Sequence, residues 1–283
     1  MKSFSQFEED IFIFDLFKKK NINNGLFVEF GAWDGVHLSN CKLLADNGWN
    51  GFFIEAKFNR YKSLLSNYQY KKKIKCINKY INSDYTLDNF ITEEKITNID
   101  VLSIDIDGKD LAELKRLTLI KPKTIIIEFN HTIPLDTECE DLDGGNGSSY
   151  LSIKNFLNNK NYELIYVTYC NLIFIDKSFN KKEFRTLENQ DIMNKLNPIR
   201  LGFNNIGEMF FIEGKKIVKK EYFRFPFMKS FITFQPVPKF LRNLTDANGK
   251  GYKFLKIFYS NLIFLFLRPN LFLKKIFFKI NKK

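Results

Sequence analysis

Acidic side chains gather where the chain leaves short apolar stretches. The segment DVLSIDIDGKD (100–110) carries Asp105 and Asp107 two residues apart, followed by Gly108. On a strand this spacing turns both carboxylates to one face, because side chains alternate with a period of two. Two parallel carboxylates repel unless a cation or a shared proton relieves them, so the pair suits a divalent ion or a general base. KTIIIEFNH (123–131) ends in Glu128, Asn130 and His131, oxygen and nitrogen groups that could complete a site with the aspartates. An ion such as Mg2+ or Mn2+ held by Asp105, Asp107, Glu128 and Asn130 would acidify a bound hydroxyl, and Asp107, Asp105 or His131 would take its proton. A plainer alternative stays open: Asp105 caps the next helix, Asp107 orients main chain, and His131 is a surface residue.

A third group lies in GLFVEFGAWDGVHLSN (25–40), where Gly31 and Gly35 bound a turn with Glu29 before it and Asp34 within it. Small residues let the backbone approach a ligand, and a helix starting after the turn would offer free N–H groups. The segment contains no GxxxxGK[ST] run, and its acids would repel a phosphate, so a cationic or hydroxyl-rich ligand fits better. Glu55 ends GFFIEA about twenty residues past the turn, where an acid accepts from a ribose diol. A nucleoside with positive charge and no phosphate meets both conditions, and S-adenosylmethionine is the common one. The alternative is a glycine turn in another α/β protein, with Glu29 and Glu55 merely solvated at strand ends.

These residues need elements to hold them. Apolar runs at 26–32, 51–56, 73–81, 100–107 and 123–130 alternate with helical lengths, the pattern of parallel strands buried on both faces. SSYLSIKNFLNNKNY reads as a helix capped by Ser148 or Ser149, and YELIYVTYCNLIFID (162–176) as two strands joined by a tight turn near Cys170 and Asn171. Between them TIPLDTECEDLDGGNG is an acidic loop, long enough to be functional. The expected fold class is α/β: a mostly parallel sheet with helices on both faces and a terminal antiparallel hairpin.

Together the runs VEFGAWDGVHLSNCKLLADNGWNGFFIEA, DVLSIDIDGKD and TIIIEFNHTIP resemble the FkbM-like S-adenosylmethionine-dependent methyltransferases. SQFEED resembles the N-terminal signature of that family, and GSSYLSIKNFLNNKNYELIYVTYCNLIFI its last helix and hairpin, so the resemblance covers roughly residues 3–176. It implies a Rossmann-like methyltransferase sheet, with Gln6, Glu9 and Asp10 near the cofactor end. It also implies that Glu29, Gly31, Ala32, Asp34, Gly35 and Asn40 surround the methionine part of the cofactor, with Glu55 on the ribose and Asp105 alongside. Cys41, Ala56 and His131 depart from the family pattern, which usually has Thr, Pro and a small residue there, so no catalytic role carries over to His131. The implied reaction is O-methylation of a sugar hydroxyl on a glycan, glycolipid or nucleotide sugar.

Composition narrows the surroundings. The 283 residues carry a formal charge of +12, which permits attraction to phosphate, anionic lipid or acidic glycans, although Lys, Asn, Ile and Phe are enriched throughout as AT-rich coding would produce. An RNA or cap methyltransferase is one alternative. The lack of an aromatic RNA-reading motif and the acids at the expected pocket argue against nucleic acid. A non-catalytic membrane-associated scaffold is another. The four cysteines show no CxxC pair, and the N-terminus shows no signal-peptide core, so a reducing cytoplasmic setting is expected. The expected division is a methyltransferase domain at 1–180, an extension of undetermined structure at 181–252 and a basic, aromatic tail at 253–283. That tail pairs Phe, Leu and Ile with Lys and Arg, and its longest apolar stretch falls short of the ~18 residues of a span. It is expected to lie on an anionic membrane surface, with packing on the protein or on a second subunit as the alternative.

Overall fold

The computed structural model describes residues 2–106, 108–141 and 147–196, the strand segments 199–203, 209–213 and 216–218, and five helical positions at 258, 261, 262, 265 and 269. Residues 1–198 form one compact unit and residues 199–283 a second.

The first unit is built on a seven-stranded sheet. In chain order its strands are β1 (Leu26–Phe30), β2 (Asn50–Ile54), β3 (Ile74–Ile77), β4 (Val101–Ile104), β5 (Thr124–Glu128), β6 (Tyr162–Val167) and β7 (Asn171–Asp176). Their spatial order is β3-β2-β1-β4-β5-β7-β6. The first five pair in parallel, while β7 runs antiparallel to both β5 and β6. The α/β expectation and the terminal hairpin therefore hold.

Consecutive apolar residues point to opposite faces, and each face has its own helices. Phe27, Phe53, Val101, Ile126 and Ile173 pack with α1 (Glu9–Lys19), α2 (Lys42–Asp46) and α3 (Phe58–Tyr68) through Leu16, Phe17, Leu44, Leu64 and Tyr68. Val28, Leu102, Ile104, Ile125, Ile127 and Phe174 pack with α4 (Leu87–Glu93), α5 (Asp110–Lys115), α6 (Tyr150–Asn159) and α8 (Asn189–Leu196). This two-sided burial is why the strands read as unbroken apolar runs. Ser149 caps α6, accepting from the Ser152 N–H. A short α7 (Lys177–Asn180) precedes α8, whose Ile192 and Leu196 are buried in the core, so the first unit continues past residue 180.

The sheet's edges differ. β3 is four residues long, with Lys75 exposed on it and Lys72 and Lys73 exposed just before it. On β6, the Leu164 carbonyl accepts from the Leu187 N–H at 2.8 Å, so a passing segment covers part of that edge.

The second unit contains an antiparallel sheet in the order β10-β9-β8, formed by β8 (Ile199–Phe203), β9 (Met209–Glu213) and β10 (Lys216–Val218). Within the expected tail, the described helical positions Phe258, Leu262 and Leu265 are exposed. The rest of the tail lies outside the described residues.

Candidate active site

Chain order reverses between β1 and β4, which lie side by side in the sheet. The carboxyl ends flanking such a switch point are where open α/β sheets bind ligands.

After β1 the backbone approaches its neighbour closely. Gly31 has φ +74°, and a Cβ there would lie 1.6 Å from the Asp105 carbonyl oxygen. Trp33 also takes a left-handed φ of 51°, uncommon for a bulky residue, and its N–H donates to Glu55 Oε2 at 2.9 Å. The Arg60 guanidinium lies 3.7 Å from the centre of the Trp33 ring. Gly35, at φ +71°, has no room for a Cβ against the Tyr68 ring.

The expected helix start is displaced. α2 begins only at Lys42, and the N–H groups before it are already engaged. Asp34 Oδ1 accepts from Val36 and His37, while Glu29 accepts from Asn40 N at 3.1 Å, Cys41 N at 3.0 Å and Ser39 Oγ at 2.8 Å. Burial pushes the Glu29 carboxyl up to about 7, against the lowering effect of those hydrogen bonds. Asn40 donates to Ser103 Oγ at 3.1 Å, and its buried Oδ1 has no partner among the described residues. Ala32 is buried, its N–H donating to the Ile54 carbonyl. Glu55 is 3% exposed, with its oxygens accepting from Trp33 N and Lys57 N.

At the next strand ends the acid pair differs from expectation. β4 stops at Ile104, so Asp105 lies beyond the strand and the period-two argument does not reach it. The chain turns because Asp110 Oδ1 accepts from Ile106 N at 2.8 Å and Oδ2 from Gly108 N at 3.0 Å. Asp107 lies outside the described residues. Asp105, Asp110 and Glu128 converge, with one carboxylate oxygen from each within 4.8 Å of the others, the arrangement that could hold a metal ion. Asp110 was visible in DIDGKD, but only its fold back onto the turn brings it to this group. Asn130 Oδ1 takes the Thr132 N–H at 2.9 Å within its own turn. His131 is exposed, and partial desolvation lowers its pKa, favouring the neutral ring.

The N-terminal residues cross the same end of the sheet. Buried Asp10 accepts from Ser3 Oγ, Phe4 N and Ser5 Oγ at 2.7–2.8 Å, and the Phe4 ring lies 4.8 Å from Lys42 Nζ beside α2. Gln6 is exposed, its Oε1 accepting from Cys170 Sγ at 3.5 Å. Buried Glu9 accepts from Phe7 N at 2.8 Å, Thr168 Oγ1 at 2.6 Å and Asn171 Nδ2 at 3.1 Å, tying α1 to the β6–β7 turn.

Residues 79–164 match the family model described as the methyltransferase FkbM domain. This segment is similar to an FkbM methyltransferase domain. The matched segment runs from before α4 into β6 and holds Asp105, Asp110, Glu128, Asn130 and His131, while the glycine turn and Glu55 precede it. No curated protein matches the chain. Among solved structures, YjhP from E. coli is similar at 12% identity, with 59% of this chain and 69% of that chain covered and a TM-score of 0.38. TrmK from M. capricolum, in complex with S-adenosyl-homocysteine, is 18% identical over 54% of this chain and 61% of its own, with a TM-score of 0.36. A putative O-methyltransferase from Klebsiella pneumoniae is 13% identical over 60% of this chain and 80% of its own, with a TM-score of 0.41.

Proposed function

We propose that this methyltransferase uses S-adenosylmethionine and transfers the methyl group to a sugar hydroxyl of a glycan, glycolipid or nucleotide sugar. The observation that carries the cofactor assignment is the loop after β1. Its N–H groups are taken up by Asp34, Glu29 and Ser39, which leaves an acceptor-rich surface with no cradle for phosphate. The residues fit a cationic nucleoside. Asn40 Oδ1 is a buried acceptor without a partner among the described residues, and Glu55 has oxygen lone pairs left for a ribose diol.

When bound, the cofactor supplies an electrophilic methyl group on a sulfonium. That methyl would pass to the acceptor oxygen as its bond to sulfur breaks, and this chain's residues would position the hydroxyl. The hydroxyl proton must leave. Asp105, Glu128 and Asp110 stand close enough together for one to accept it. The same three could hold Mg2+ or Mn2+, which would acidify a coordinated hydroxyl. We assign Asp107 to the same proton-transfer group, and residues 253–283 to contact with an anionic membrane carrying the acceptor.

Thermal unfolding of the full chain with S-adenosylmethionine, S-adenosylhomocysteine, NAD or a short RNA tests the cofactor. The first two alone should raise the midpoint, because a ligand that binds only the folded state stabilises it. A shift with NAD or RNA and none with the sulfur nucleosides refutes the assignment.

A further inference from the structure

Beside the carboxylates, three rings from distant parts of the chain meet at the surface. Tyr169, at the β6–β7 turn, lies 5.4 Å from the Phe7 ring at 52° and 6.4 Å from the His131 ring at 81°. Phe7 is 37% and Tyr169 45% exposed, and His131 is exposed as well. A single exposed ring is ordinary, but three in contact at a functional end of a sheet need an explanation.

The rings are held in place. One buried carboxylate, Glu9, binds the Phe7 N–H and, through Thr168 and Asn171, both sides of the turn that carries Tyr169. The Phe129 N–H donates to the Cys170 carbonyl at 2.8 Å, which fixes the exit of β5 leading to His131. Glu128 is the register partner of Asn171, so the cluster stands directly beside the proposed proton acceptor. Binding surfaces are prepared in this way, because fixing side chains in advance lowers the entropy cost of a ligand.

We infer that Phe7, Tyr169 and His131 form the acceptor subsite and take the C–H face of a neutral pyranose ring, with one hydroxyl turned toward Glu128. This rests on the methyltransferase assignment above and adds the residues that would select the acceptor. Non-parallel rings offer faces and edges to the puckered C–H surface of a sugar, whereas a planar ligand would want one flat slot. The local field favours an uncharged acceptor. Burial and Glu9 push the Cys170 thiol up to about 12, and Asp105 and Glu128 add to the rise. A phosphate or carboxylate would meet those acids. The Gln6 amide stands at the rim, where it can donate to a ring hydroxyl.

The probes are methyl glucopyranoside, galactopyranoside and mannopyranoside, with catechol as a planar diol and glucose 1-phosphate as an anion. Binding to the full chain is measured by ligand-observed NMR in the presence of S-adenosylhomocysteine. At least one pyranoside should bind, and Tyr169→Ala and Phe7→Ala should each weaken it roughly 3- to 10-fold with S-adenosylhomocysteine affinity unchanged. Tyr169→Phe should restore it. Both alanine changes are at exposed positions and should fold. Wild-type protein that binds S-adenosylhomocysteine but no pyranoside overturns this inference alone. So does unchanged pyranoside affinity in both variants, or tighter binding of catechol or the phosphate. Wild-type protein that binds no S-adenosylhomocysteine removes the cofactor assignment and this inference with it.

Discussion

Glu29 is a buried acid that holds the loop after β1 through its own hydrogen bonds. It accepts three hydrogen bonds from the loop, an arrangement that suits a carboxylate, while burial favours the protonated form and moves its pKa to about 7. Below about pH 4.5 it is protonated in folded and unfolded chains alike; between there and about 7 only the folded chain keeps the proton. Its contribution to stability should therefore fall as pH rises across that window and level off above it. His131 acts in the opposite sense, because its lowered pKa makes the unfolded chain the better proton binder. Comparing wild type with Glu29→Gln by denaturant unfolding at pH 5, 6, 7 and 8 separates the two, since His131 is common to both. The variant should lack the Glu29 slope and should lose about 1–3 kcal/mol at pH 5, where its amide nitrogen would face backbone donors. An identical pH profile in both proteins would contradict the burial effect. Glu55 bears on ligand affinity instead. Glu55→Ala should weaken S-adenosylhomocysteine binding about tenfold or more in calorimetric titration, the scale of a hydrogen bond to a charged group, and unchanged affinity would remove Glu55 from the site.

At the scale of elements, the chain leaving β1 can pass close against the chain leaving β4 only because residue 31 lacks a side chain. Gly31→Ala should destabilise the protein by roughly 2–5 kcal/mol, from a left-handed backbone and an overpacked contact together. Denaturant midpoints measure this, and a loss under ~1 kcal/mol would mean that the strand ends move apart freely. Much of this architecture was legible in the sequence. The runs in Ile, Val and Phe marked every strand of the parallel set, and the hairpin at 162–176 was visible from its length. Two kinds of feature were not. Strand ends were set too late, because β4 stops where Asp110, five residues beyond Asp105, takes the N–H groups of the turn; nothing in the local pattern shows which acid folds back. The tie from Glu9 to Thr168 and Asn171 spans about 160 residues and exists only once the sheet has formed. Likewise β8–β10 escaped notice, since segments as short as IRLGF, MFFIE and KIV are too brief to show a clean alternation.

For the molecule as a whole, basic and apolar residues crowd together in the sequence at 253–283. Among the described residues no helix is long and apolar enough to cross a membrane. Residues 253–283 should instead bring the full chain to anionic vesicles in flotation, with a salt dependence from basic residues worth ~1 kcal/mol each near the surface. A chain ending at Gly251 should stay in solution and remain soluble. Aggregation of that shorter chain, or indifference of the full one to vesicles at low salt, would assign the segment to protein contacts. The sheet imposes a limit of its own on how copies can associate. β3 is short, carries the exposed Lys75 and follows the exposed Lys72 and Lys73, and β6 is partly occupied by the segment at Leu187. A second copy arriving at β3 would set like charges side by side, and at β6 it would have to displace that segment. Strand-to-strand pairing between copies is therefore disfavoured at β3 and obstructed along part of β6.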